Sequence, residues 1–82
     1  DDVVLYPNPA TDVVQVEYFL NNAGGVCIEV LDIQGRSLGI GFNENQNAGN
    51  QQVQINVNDL RDGMYFVRIT SASSSKVVRF FR

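Results

Sequence analysis

The sequence has no histidine, no tryptophan and a single cysteine, and these absences exclude several kinds of protein. Without histidine, no imidazole can act as a base or bind a metal, so Ser-His-Asp and Cys-His catalysis are excluded. Cys27 cannot form a disulfide within the chain, and we expect a free, buried thiol because cysteine commonly packs as a small hydrophobe. The fold must therefore hold without a covalent cross-link.

Long apolar runs and an excess of positive charge are also lacking. No segment approaches the ~20 apolar residues of a membrane helix. Nine Asp and Glu outnumber six Lys and Arg, and the resulting net charge of −3 argues against a nucleic-acid partner. Residues 1–3 have neither the basic region nor the apolar core of a secretory signal. We therefore expect the chain to be a piece cut from something longer.

The composition is that of one globular domain spanning residues 1–82, with 44% hydrophobic and 18% charged residues. Apolar and polar residues alternate in short segments, and no stretch carries a helical apolar stripe. This spacing predicts an all-β fold, an immunoglobulin-like antiparallel β-sandwich of about seven strands. The segments predicted as strands are residues 3–6, 13–20, 26–31, 37–42, 52–57, 64–70 and 76–82.

Residues 62–65, Asp-Gly-Met-Tyr, predict the structural corner of this sandwich. Asp62 and Gly63 form a turn signal, because Asp bonds its own backbone and Gly accepts a positive φ. Tyr65 begins an alternating run two residues later. The pattern is typical of a tyrosine corner, in which the phenol bonds back to the corner's backbone.

The connections between strands give two further expectations. Residues 43–50 are almost wholly polar and predict a mobile loop. Residues 58–63 predict one turn of helix, with Asn58 as its cap and Leu60 as a plug. Gly39 and Gly41 lie opposite apolar positions in their strand and indicate a bend or a close approach.

The sequence offers no constellation for catalysis. Asp12, Asp32, Asp59 and Asp62 fall in turns, where Asp serves as a backbone mimic. Glu44 and its neighbouring amides lack the dense Asp spacing of a calcium loop. We expect no enzyme, no cofactor and no metal site.

A polysaccharide-binding or domain-spacing accessory module remains an alternative, because small sandwiches often carry sugars on aromatic side chains. Phe19, Phe66 and Phe81 are the aromatics that strand alternation would place outside. We expect them to pack against neighbours, since aromatic side chains mostly supply buried area.

The last strand is unusually basic. Lys76, Arg79 and Arg82 are half of the six basic residues and alternate with apolar ones. One interpretation is an edge strand guarded by cations against pairing with other chains. The other is a basic, apolar tail that a partner recognises.

Three features together resemble one family. Residues 4–12 contain Tyr-Pro-Asn-Pro after an apolar run and end in Asp. Residues 31–38 combine a strand end with a turn containing Gly and Arg. Residues 60–69 and 76–82 supply the closing pattern. Their order and spacing along the whole chain resemble the C-terminal sorting domain of the bacterial type IX secretion system.

This resemblance implies a secretion signal attached to an unidentified N-terminal cargo protein. In that family the cargo passes through the periplasm, and the outer-membrane translocon and a shuttle protein recognise the domain. A sortase-like protease usually removes it and anchors the cargo at the cell surface, and other cargo is extracellular. A weak dimer through an unpaired edge strand is left open. The residues we predict for recognition are Pro7, Asn8, Pro9, Gly35, Lys76, Val77, Val78, Arg79, Phe80, Phe81 and Arg82.

Overall fold

A computed structural model describes residues 3–72 and 74–82. Asp1 and Asp2, at the predicted start of the domain, lie outside this range, as does one residue of the last polar turn before residue 76. The described residues contain no helix long and apolar enough to cross a membrane. They form seven strands, β1 (Val4–Tyr6), β2 (Val13–Leu20), β3 (Gly24–Leu31), β4 (Ser37–Gln46), β5 (Gly49–Asn56), β6 (Met64–Ser71) and β7 (Ser75–Phe81).

The strands form two antiparallel sheets, which confirms the predicted immunoglobulin-like sandwich. One sheet has the order β1-β2-β5 and the other β4-β3-β6-β7. In a constant-type immunoglobulin domain the fourth strand belongs to the sheet of the first, second and fifth strands. Here β4 pairs with β3 instead, so the chain crosses between the sheets after β4.

The core consists of the inward-facing residues of both sheets. Alternation predicted these faces correctly in β2, β3, β5 and β6, and no polar side chain is buried among the described residues. Each fully buried Val or Ile contributes roughly 1.5 to 3 kcal/mol. The largest fully buried side chain is Phe80, in the last strand. The other side chains in this class are Val14, Val16, Val26, Ile28, Val30, Val57 and Val67.

The tyrosine corner is confirmed. The Tyr65 hydroxyl donates a hydrogen bond of 2.7 Å to the carbonyl oxygen of Arg61, four residues upstream. Its ring lies 5.9 Å from that of Phe80, measured between centroids. The corner therefore fixes the start of β6 against the core residue of β7.

The close approach predicted from glycine is present in β4. A Cβ atom at Gly41 would collide with the carbonyl oxygen of Ile28 on β3. The pairing of β3 with β4 shifts register between Glu29 and Leu31. Only glycine fits at this position, because the two backbones nearly touch beside the bulge.

The mobile loop predicted for residues 43–50 is wrong. β4 continues to Gln46, and β5 begins at Gly49. Asn43, Glu44 and Asn45 pair with residues of β3. Because β4 lies at the edge of its sheet, polar side chains remain solvated there, and polarity alone did not reveal the strand.

The helical turn predicted for residues 58–63 is also wrong. Asn56, and not Asn58, organises this connection, since its Oδ1 accepts a 2.9 Å bond from the backbone N–H of Asn58. Leu60 donates its N–H to the carbonyl of Val57 at 3.1 Å, which forms a single turn. Leu60 does pack against the core as predicted.

Cys27 is a free thiol, but the expectation that it is buried is wrong. Its side chain is half-buried on the outer face of the four-stranded sheet. There it lies between Asn43 and Thr70, its partners on the two neighbouring strands. The alternation of β3 explains this position, because Val26 and Ile28 take the inward sites.

Candidate functional site

The segments that carry the sequence motifs meet at one end of the sandwich, which we call the motif end. Strands β1, β3, β5 and β7 all finish there. The motif end consists of residues 7–12, residues 32–36, residues 57–63 and Arg82. Val3 lies at the opposite end, where it lines a pocket with Leu20 and Ser74.

The Pro7-Asn8-Pro9 corner is joined to the last strand. The Oδ1 of Asn8 accepts a 3.0 Å hydrogen bond from the backbone N–H of Phe81. Ala10 donates its N–H to the carbonyl of Phe81 at 2.7 Å. The Tyr6-Pro7 and Asn8-Pro9 peptide bonds are both cis. Two segments predicted separately for recognition thus form one structural unit across the two sheets.

Arg82 closes the same end. Its Nε donates to the Val57 carbonyl at 2.8 Å, and its two terminal nitrogens reach the Asn58 carbonyl at 3.3 Å and Asp62 Oδ1 at 3.0 Å. Its backbone exchanges two hydrogen bonds with Gly63, of 2.8 and 3.0 Å. With 17% of its side chain exposed, Arg82 holds the last strand in place and offers little surface to a partner.

The turn between β3 and β4 is shaped by Asp32. Its Oδ1 accepts hydrogen bonds from the backbone N–H groups of Gln34 and Arg36, at 2.9 and 3.0 Å, and its Oδ2 pairs with Arg36 Nε at 3.1 Å. The Arg36 N–H is the main reason that the pKa of Asp32 lies below its ordinary value. Gly35 has a φ of +86°, which other residues rarely adopt. Gly35 therefore serves the shape of the turn.

Ile33 lies in this rigid turn with 65% of its surface exposed. The sequence analysis did not single it out. The available signal was a large apolar residue between an Asp and a Gly, in a connection where polar residues are usual.

The predicted recognition residues of β7 divide between two faces. Phe80 is fully buried and Val78 is half-buried in the sandwich. Val77 and Phe81 face outward with 55% and 43% of their surface exposed. Arg79 and Lys76 are exposed as well. The strand thus combines core residues with residues that a partner can reach.

The outward aromatics lie on opposite sides of the sandwich. Phe19, half exposed, belongs to the three-stranded sheet. Phe66 and Phe81 belong to the four-stranded sheet, where Phe66 is half-buried. The three rings cannot contact one sugar chain together, and no observation favours the polysaccharide-binding alternative.

One ion pair links β3 and β6 on the outer face of the four-stranded sheet. Glu29 and Arg68 face each other on β3 and β6, with 2.8 Å between Oε1 and the guanidinium. Hydrogen bonding from Arg68 holds the pKa of Glu29 below its ordinary value. No group of three or more acidic or cysteine side chains is arranged to hold a metal within the described residues.

These features define a class of small β-sandwich modules whose characteristic turns are gathered at one end. The family model of the secretion system C-terminal sorting domain matches residues 4–81, and the chain belongs to this family. It is a C-terminal sorting signal of type IX secretion, which directs a cargo toward the cell surface or the extracellular space. Comparison with curated proteins gives no match.

Proposed function

We propose that the domain is the removable end of a longer secreted protein. Cargo lies upstream of the domain, and the outer-membrane translocon and a shuttle protein recognise it in the periplasm. A sortase-like protease then separates it from the cargo, which is anchored at the surface or released. Membership of the sorting family supports this sequence of events.

The observation that carries the proposal is the separation of the motif end from Val3. The sandwich measures 35 Å along its longest axis. Residues 7–12 and residues 32–36 lie at one end, and the chain enters β1 from the other. The machinery can therefore hold the motif end while the protease acts on the chain upstream of β1.

Within the predicted recognition set, we assign contact with the machinery to residues that are exposed. Pro7 and Pro9 at the corner belong to this group, as do Arg79 and Phe81 in the half of β7 that runs to the motif end. Lys76 and Val77 are also exposed, but they lie in the half of β7 that begins beside Val3, away from the motif end. We assign a supporting role to the predicted residues that fill the core, bind the backbone or shape a turn, namely Asn8, Gly35, Val78, Phe80 and Arg82.

Export of a fusion protein tests the function. A periplasmic reporter joined upstream of residues 1–82 should reach the surface in a host that has the type IX system and should stay in the periplasm in a host without it. Processing between reporter and domain should require the sortase-like protease. Reporter that stays in the periplasm of the competent host contradicts the proposal.

Deleting residues 76–82 would not be a clean test, because Phe80 would leave the core and the body would unfold. Point variants of outward residues keep the core intact. A glycan array with the isolated domain addresses the alternative, since reproducible sugar binding without export would favour an accessory module.

A further inference from the structure

The edge strands of the two sheets differ in how they are protected against pairing with another chain. Within the described residues, β1 and β5 border the three-stranded sheet, and β4 and β7 border the four-stranded sheet. An edge strand presents backbone N–H and C=O groups that a strand of another molecule can bind. Natural sheets protect such edges with short strands, proline, charged side chains, bulges or a covering segment.

The edges at β1, β4 and β7 each carry such protection. β1 has only three residues, and a proline follows it. β4 contains Glu44, and its pairing with β3 is interrupted by a bulge. β7 carries Lys76 and Arg79, and the corner at residues 7–9 binds the backbone N–H of Phe81. These three edges are therefore poor sites for strand addition.

β5 has none of these features. Its eight residues include no proline and no charged side chain. Its register with β2 is unbroken from Gly49 to Asn56. No described strand pairs with its outer side. β5 is therefore the edge at which the described sandwich can accept another strand.

The hydrogen bonds between β2 and β5 show which backbone groups face this edge. In an antiparallel pair every second residue bonds to its partner, and the residues between them direct their N–H and C=O groups to the other side. Val57 donates its N–H to the carbonyl of Asp12 at 2.8 Å, and this bond fixes the phase of the pairing. The residues that direct both backbone groups away from β2 are Asn50, Gln52, Gln54 and Asn56.

The side chains of these edge residues leave the backbone accessible. All are uncharged amides on the exposed outer face of the sheet. Gln54 accepts a 2.9 Å bond from Gln15, and Gln52 donates to the Tyr6 hydroxyl at 2.7 Å. Both amides are thus held toward the neighbouring strands of their own sheet and do not cover the edge.

We propose that β5 is a docking site for β5 of a second copy of this chain, paired antiparallel about a two-fold axis beside Val53. In this register Asn50 lies opposite Asn56 of the partner subunit, and Gln52 lies opposite Gln54 of the partner subunit. The three-stranded sheets of the two copies then form one continuous sheet. The same surface serves both copies, as two-fold symmetry requires.

Charge favours a second copy as the occupant of this edge. Like charges that lie directly opposite each other on paired strands are destabilising. Two copies of β7 would bring together the cations Lys76 and Arg79, whereas two copies of β5 bring together only amides. The uncharged edge is therefore complementary to itself.

The antiparallel arrangement leaves room for a cargo on each copy. β1 and β5 run in the same direction, because each is antiparallel to β2. In the dimer the β1 strands of the two copies point in opposite directions, so their upstream segments leave from opposite ends. The inference does not depend on export, and its failure would leave the proposed function untouched.

Sedimentation equilibrium of the 82-residue chain tests the inference. The test variant is Gln52→Lys with Gln54→Lys, which places lysines directly opposite each other in the dimer. The control is Gln15→Lys with Phe19→Lys, which adds the same charge to the same outer face on β2, away from the edge. Thermal unfolding of each purified variant verifies that it folds.

The wild type should change from monomer to dimer between micromolar and millimolar concentration. The test variant should raise the dissociation constant about tenfold or more, since the opposed lysines occur twice by symmetry, and the control should dissociate like the wild type. A wild type that stays monomeric at millimolar concentration overturns the inference, and so does an equal weakening in test variant and control.

Gln54→Pro tests the backbone directly. Its N–H faces away from β2, so proline removes no hydrogen bond of the sheet but removes a donor to the second copy. This variant should also weaken the dimer about tenfold, because the lost bond occurs twice by symmetry. A folded Gln54→Pro variant that dimerises like the wild type shows that the copies do not pair through β5.

Cross-linking tests the register, with Cys27→Ser in every variant. A mixture of Gln52→Cys and Gln54→Cys copies should form a disulfide-linked dimer on oxidation, because paired residues lie within the Cα separation of a disulfide. A mixture of Asn50→Cys and Gln54→Cys copies should not. Preferential cross-linking of the second mixture contradicts the two-fold axis beside Val53.

Discussion

The two ends of the sandwich are closed in different ways. At the motif end, Asn8 binds the backbone of Phe81 across 73 positions of sequence, and Arg82 binds Val57 across 25. Among the described residues at the opposite end, the Tyr18 hydroxyl bonds to Gln46 across 28 positions. The other side-chain bonds described there are local, such as that from Gln51 to the Asn47 carbonyl, four positions away.

This difference indicates that the motif residues Asn8 and Arg82 stabilise the fold. The last strand, β7, finishes at the motif end. Side chains that bind main-chain groups of distant segments fix it there. Under the proposed function, the machinery contacts exposed neighbours that these bonds hold in position.

Replacing Arg82 should show the largest effect. Arg82→Ala removes the hydrogen bonds to Val57 and Asn58 and the pair with Asp62. Hydrogen bonds from a charged group contribute about 1.5 to 3 kcal/mol, whereas the exposed ion pairs add little. We expect a loss of about 2 kcal/mol in the free energy of unfolding, measured by urea denaturation.

Arg82→Lys is the matched control, because it keeps the charge and loses the fork of donors. It should recover only a small part of the lost stability. Full recovery by lysine would show that charge, and not the bonds to the backbone, closes the motif end.

The corner at Asn8 should give the next effect. Asn8→Ala leaves the N–H of Phe81 without its side-chain acceptor and should cost about 1 to 1.5 kcal/mol. Gln51→Ala, which removes the amide bond to Asn47 at the opposite end, should cost less than about 0.5 kcal/mol. Chemical denaturation of the two variants compares the stability contributed by a long-range bond with that contributed by a local bond. Equal losses in the free energy of unfolding would contradict the distinction between the two ends.

Much of the fold can be predicted from the sequence, because buried and exposed side chains alternate along a strand. Val14 and Val16 in β2, and Val53 and Ile55 in β5, alternate with polar residues and are buried as expected. Alternation of apolar and polar residues is absent where both faces of a strand segment are exposed to solvent. Asn43 and Glu44 in β4 show this, since an edge strand does not require apolar residues.

The candidate site was less accessible to sequence reasoning. The motif residues could be recognised, but not which of them support the fold. Asn8 and Arg82 act through atoms of residues far along the chain, and only the folded topology brings those atoms within hydrogen-bonding distance. Val77 and Val78 are the same residue type and face opposite ways, which depends on the register of β7.

Removing the hydrogen bond of the tyrosine corner should cost less stability than Asn8→Ala and more than Gln51→Ala. Tyr65→Phe loses the bond to the Arg61 carbonyl but keeps the ring beside Phe80. We expect a loss of about 1 kcal/mol, measured by thermal unfolding. Fusions carrying folded Tyr65→Phe protein should still be exported, and a specific export defect would show that the machinery contacts the corner.

The turn at Asp32 should give the smallest effect, although it lies at the motif end, because its bonds span only two and four positions. The pKa of Asp32 is below its ordinary value of 3.8, chiefly through the Arg36 N–H. The unfolded chain therefore binds the proton more readily, and the stability that ionised Asp32 contributes is complete above pH 3.8 and is lost as pH falls through the lower, folded pKa. Asp32→Asn removes this dependence, so the difference in Tm between wild type and variant should be small at neutral pH and should shrink further in acid. A Tm difference that stays constant as the pH is lowered would show that ionised Asp32 does not stabilise the turn. A loss of stability as large as that of Arg82→Ala would show that local bonds at the motif end matter as much as the long-range bonds.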